Sequence, residues 1–207
     1  MSSIQPQTSS TRLAVLISGG GTTLQNFIDV IRAGELSASI ELVVSSRHDA
    51  FGLQRAAAAD LRTAVVRKRD YPDSATFSAA IFHLCDAARV DLVLLAGWLT
   101  LLEIPPRYAG RVMNIHPSLL PKFGGKGMYG HHVHEAVVTS GETESGCTVH
   151  WVTNEYDAGP VILQRTCPVE RGDTPTVLAA RVFEQEKVAY PQAVRLWQAR
   201  TLTQRQQ

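Results

Sequence analysis

Short β-branched or leucine-rich runs alternate with longer amphipathic runs along most of the chain. Residues 13–17, 40–45, 64–66, 91–96 and 111–115 have the length and content of strands. Residues 22–33, 51–59 and 73–88 carry helical spacing between them. The strands are apolar on both faces, the pattern of a parallel sheet covered by helices on each side. Residues 146–153 and 161–169 instead alternate apolar and polar side chains, as an antiparallel edge does. A last run predicts a long helix over residues 174–198, with Asp173 or Thr174 as its N-cap. The predicted architecture is α/β, a single doubly wound, mostly parallel sheet with an antiparallel edge and a long C-terminal helix. With no internal repeat or linker, the expected organisation is a loose polar tail at 1–11, one domain at 12–200 and a polar tail at 201–207. The glycine-rich stretch 123–130 reads as a mobile loop.

Composition narrows the class. Apolar residues make up 44% of the 207, enough for a full core, and the apolar runs fall short of the ~20 residues of a membrane span. A net charge of +1 builds no field for nucleic acid or a lipid surface. The first residues lack the basic start and apolar stretch of a signal peptide. Cys85, Cys147 and Cys167 are too few and scattered for a disulfide framework or a thiolate metal site, so a reducing, cytoplasmic setting fits.

Candidate chemistry gathers at strand ends. Asn114 and His116 share a face of an extended segment that runs into Pro117. An amide donor beside an imidazole suits a carbonyl that becomes an oxyanion while a proton changes hands. A polar strand end bonding to nearby backbone would use the same residues. Ser18-Gly19-Gly20-Gly21-Thr22-Thr23 joins the first strand to a helix, a turn able to bring backbone N–H groups to an anion. It lacks the third glycine of a dinucleotide fingerprint and the Gly-Lys-Ser/Thr of a Walker loop, which leaves a site for one phosphate or a plain helix-capping turn. Asp157, in a turn-rich segment, would favour the imidazolium of His116 if the two met, or else make a local turn bond. His131, His132 and His134 lack metal-ligand spacing and read as a solvated loop and helix start. The apolar run 97–102 after a buried strand is core or the wall of a pocket for a flat ring.

Asn114-Ile115-His116-Pro117-Ser118-Leu119-Leu120-Pro121-Lys122, Thr148-Val149-His150, and Asp157-Ala158-Gly159-Pro160-Val161-Ile162 together resemble the glycinamide ribonucleotide formyltransferases, as does Leu16-Ile17-Ser18-Gly19. The resemblance implies Asn114, His116 and Asp157 as the catalytic set. It implies that Gly20, Gly21, Thr22 and Thr23 hold the substrate phosphate and Glu186 its ribose. Leu99, Thr100, Leu101, Leu102, Asn114, Thr153, Asn154, Glu155 and Tyr156 would hold the folate. The implied co-substrate is 10-formyltetrahydrofolate with no metal. The implied partner is the small molecule glycinamide ribonucleotide, with no nucleic acid or membrane, in a monomer or homodimer. The sequence departs from the family at Gly20 and Thr22-Thr23, where asparagine and Ser-Asn are frequent, and at Thr100 and around Ser74–Ala75, where arginine is frequent. The 125–130 segment is longer than in compact members. A formyltetrahydrofolate hydrolase shares the Asn-His-Asp set but carries an extra domain ahead of it. A methionyl-tRNA formyltransferase needs a second, basic domain. A non-enzymatic nucleotide-binding module leaves the Asn-His-Asp set unexplained.

Overall fold

The computed structural model describes residues 10–205. Seven strands form one sheet in the order β3-β2-β1-β4-β5-β6-β7. The first five, β1 (Thr11–Ile17), β2 (Ala38–Ser45), β3 (Thr63–Val65), β4 (Leu92–Leu95) and β5 (Val112–His116), pair in parallel. Then β6 (Glu144–Trp151) and β7 (Val161–Pro168) add an antiparallel edge. Helices α1 (Thr22–Arg32), α2 (Gly52–Ala58), α3 (Ser74–Ala87), α4 (His131–Ser140) and α5 (Pro175–Arg205) complete the fold. None of them is long and apolar enough to cross a membrane.

The period-two pattern of the strands divides the core in two. On β1, Leu13, Val15 and Ile17 join a core with α1 and α5, whereas Ala14 and Leu16 join one with α3. Because β2 and β4 flank β1 on opposite sides, the chain reverses its winding there, leaving a crevice past the carboxyl ends of β1 and β4. Ser18, at the end of β1, fixes that crevice: its Oγ accepts from the Leu99 N–H at 3.1 Å and from the Ser46 hydroxyl at 2.8 Å.

Two expectations change. Residues 201–205, read as tail, continue α5, and Thr11 already belongs to β1; residues 1–9, 206 and 207 lie outside the described part. The solvated loop and helix start expected at His131, His132 and His134 is the first turn of α4, in which His134 is buried while His131 and His132 are exposed. Of the two expected caps for α5, Thr174 does the capping, its Oγ1 accepting from the Val177 N–H at 3.3 Å.

Candidate active site

Antiparallel pairing of β5 with β6 sets Asn114 opposite His150 and His116 opposite Thr148, so all four share one face of the sheet. Thr148 tethers the turn that follows β5: its hydroxyl donates to the Ser118 carbonyl at 2.6 Å and accepts from the Leu120 N–H at 3.0 Å. The β6–β7 connection brings Asp157 over this face. Its Oδ2 lies 3.5 Å from His116 Nδ1, and its Oδ1 lies 3.5 Å from both His150 Nε2 and Asn114 Nδ2. The Gly125 N–H donates to Oδ2 at 2.9 Å, which packs the 123–130 loop onto the carboxylate. The structure thus brings Asp157, 43 positions beyond Asn114 along the chain, onto the Asn114–His116 pair.

Solvent exclusion sets the electrostatics. His116 is only 4% exposed, and burial pushes its pKa below the ordinary value. Asp157 and the Phe123 carbonyl pull the other way and lose. The expectation of a ring held protonated by Asp157 is therefore corrected: the desolvation cost of the imidazolium exceeds the attraction of a carboxylate 3.5 Å away. Since Nε2 lies 2.8 Å from the Phe123 carbonyl, which can only accept, Nε2 carries the ring's proton. For Asp157, burial raises the pKa, but the rings of His150 and His116 and the Gly125 N–H outweigh it, so the group stays below the ordinary carboxylate range. Burial pushes the Cys85 and Cys147 thiols up to about 12, leaving neither as a nucleophilic thiolate.

These side chains open on a cavity of about 710 Å³. Its walls include Thr22 and Thr23 at the start of α1, the Leu99–Leu102 run, Thr153, Glu155 and Tyr156, and Glu186 from α5. Gly20, Gly21 and Asn154 are not among the walls. Gly20 turns its carbonyl to Arg55 Nε at 2.9 Å, and Asn154 Oδ1 accepts from the Ile104 N–H at 2.8 Å. Gly21 is the N-cap of α1 with φ 70°, and a Cβ there would stand 2.6 Å from the Cα of Gly52. No side chain caps α1, so its first-turn N–H groups remain available to an anion. Burial alone raises the Glu186 carboxyl to about 7. His150 and His134 also line the cavity; neither was given a role in the site from sequence, His134 having been read as part of a solvated loop and helix start. The alternation of β6 already placed His150 on one face, but only the pairing register shows that this face is the site's.

An amide donor, an imidazole and a carboxylate at the carboxyl edge of a parallel sheet, beside an uncapped helix start, are the arrangement of an α/β group-transfer enzyme. The chain belongs to the formyl transferase family, whose model matches residues 11–194. It is 39% identical over 181 residues to the phosphoribosylglycinamide formyltransferase of Escherichia coli strain K12, covering 86% of this chain and 83% of that protein. It is 41% identical over 189 residues to the trifunctional purine biosynthetic protein adenosine-3 of Drosophila pseudoobscura pseudoobscura, covering 89% of this chain. The chain spans only 14% of that larger relative and 18–19% of the trifunctional proteins of Homo sapiens and Bos taurus. Its fold is similar to that of glycinamide ribonucleotide transformylase 1 from Symbiobacterium toebii, with a TM-score of 0.86 and 39% identity over 93% of this chain and 90% of that one.

Proposed function

We propose that the chain transfers the formyl group of 10-formyltetrahydrofolate to the amine of 5-phosphoribosylglycinamide, giving formylglycinamide ribonucleotide and tetrahydrofolate in purine biosynthesis. The observation that carries this reading is the single cavity in which Asn114, His116 and Asp157 meet Thr22, Thr23 and Glu186. That one space offers N–H groups for a phosphate, a carboxylate for a ribose and the apolar Leu99–Leu102 wall for a flat ring system, together with the reacting groups.

The uncharged amine attacks the formyl carbon, and the carbonyl oxygen becomes an oxyanion that accepts from Asn114 Nδ2. Losing one such donor typically costs ~3–4 kcal/mol of barrier. The attacking nitrogen must shed a proton and the leaving N10 must gain one. His116 starts neutral, takes up that proton as positive charge develops, and is stabilised as an imidazolium by Asp157. A ring with a depressed pKa gives its proton up readily, which suits delivery to N10. No covalent enzyme intermediate is required, and much of the rate comes from holding two substrates in register. The loop held by Gly125 and the Phe123 carbonyl excludes water that would otherwise hydrolyse the donor.

The test is incubation with 10-formyltetrahydrofolate with and without glycinamide ribonucleotide, following loss of the formyl group from folate. Deformylation that depends on the amine substrate supports the transferase. Deformylation without it would instead make the chain a hydrolase, and no reaction with either would leave a binding protein.

A further inference from the structure

We propose that His150 is a positioning residue that fixes the Asn114 amide as a one-way donor toward the reacting carbonyl. This inference rests on the functional reading above for its kinetic consequence, but its structural core stands on the hydrogen bonds of His150 alone. The ring is 2% exposed, and its Nδ1 lies 2.9 Å from the carbonyl oxygen of Trp151. A carbonyl only accepts, so Nδ1 carries the proton, and in the neutral ring Nε2 presents a lone pair, nearer to the Asn114 amide than to Asp157 Oδ1 at 3.5 Å. That lone pair faces Asn114 Nδ2 at 3.1 Å.

An amide has a donor end and an acceptor end of nearly the same shape, and an unanchored Asn can present either. A carbonyl end turned toward a developing oxyanion would repel it. The Nε2 lone pair selects the NH₂ end, because turning the amide over would set two acceptors against each other in a buried site. One N–H is then spent on His150. The other is held only by the 3.5 Å approach to Asp157 Oδ1, at the limit of a hydrogen bond, and is left for the substrate oxygen. The β5–β6 register that sets residues 114 and 150 directly opposite each other makes this pairing a property of the sheet rather than of a loop.

Long-range ¹⁵N spectra of the imidazole test the tautomer directly, and the expected state is a protonated Nδ1 with a bare Nε2. A proton on Nε2, bridging to Asp157, would overturn the proposal. Kinetics test its consequence. His150→Leu, which removes the acceptor, is expected to lower kcat by about 100-fold, the effect of losing one oxyanion donor, with both KM values within about two-fold. His150→Gln keeps an acceptor oxygen and is expected to recover at least about ten-fold of that loss. Wild-type turnover in His150→Leu, or a Gln variant as slow as Leu, rejects the role. In an Asn114→Ala background, His150→Leu should cost nothing more, and a full additional loss would show that the ring acts elsewhere. If His150→Leu does not fold, the nitrogen spectrum and the Gln variant still decide. If the wild type transfers no formyl group, the functional reading fails while the spectrum still tests the tautomer.

Discussion

Asp157 holds a backbone φ of 52°, a region that a side-chain-bearing residue rarely occupies and that Asp and Asn tolerate best. The strain sits where four groups converge on its carboxylate, as backbone strain at functional sites tends to. Asp157→Asn therefore keeps the backbone and removes only the charge. Turnover should fall roughly 10²–10⁴-fold, the range of a proton-transfer contribution, with both substrates still bound. Steady-state kinetics with calorimetric binding check this, and near-normal turnover would remove Asp157 from the mechanism. Asn114 and His116 were legible as a pair because i and i+2 share a face of a strand. The approach of Asp157 was implied only by resemblance, since no local pattern joins residues 116 and 157. The direction of the His116 shift was misjudged because a sequence shows a neighbour's charge more readily than the burial of the ring itself.

Among the elements, α5 violates a rule that sequence reading relies on. Pro191 sits in its interior, where it removes one N–H and would normally end the helix. The carbonyl that this N–H would have served belongs to Lys187, and Asn26 Nδ2 from α1 donates to it at 3.0 Å. The compensation lies 161 positions away along the chain, so no window of sequence could display it. Asn26→Ala should cost about 1–2 kcal/mol by leaving that carbonyl unpaired. In a Pro191→Ala background the helix regains its own bond, and the same substitution should cost under about 0.5 kcal/mol. Urea unfolding of the four proteins measures this coupling, and additive losses would disprove it. By contrast, the strands were legible to within two residues at most ends, because two-sided apolar runs bounded by turns are a local signal. The start of α1 was legible for a similar reason. Gly21 has a positive φ and touches Gly52, so Gly21→Ala should displace the loop and raise the KM for the phosphorylated substrate at least about ten-fold. The folate KM should stay unchanged; equal changes in both would mean general unfolding rather than a lost phosphate cradle.

Across the whole molecule, the groups around the cavity make stability depend on pH through opposing contributions. His134 is lowered from 6.5 to about 4, mainly by burial, and His116 is lowered as well. For both rings the unfolded chain takes up a proton first as pH falls below 6.5, so each withdraws stability through that window. Glu186 acts in the opposite sense, because burial raises it from 4.5 to about 7. Between those values the folded protein binds the proton first, and acidification adds stability. One proton of difference is worth about 1.4 kcal/mol per pH unit. Two histidine losses against one carboxyl gain leave a net loss of up to about 1.4 kcal/mol per unit below pH 6.5. Glu186→Gln removes the offset, so its stability should fall more steeply, by up to about 2.8 kcal/mol per unit. His134→Gln should flatten the wild-type slope. Urea midpoints at several pH values between 6.5 and 5 measure all three proteins under the same conditions. A Glu186→Gln slope equal to that of the wild type would mean that the carboxyl does not protonate in this range. The cavity would then hold a standing negative charge on its α5 wall, unchanged across that pH range.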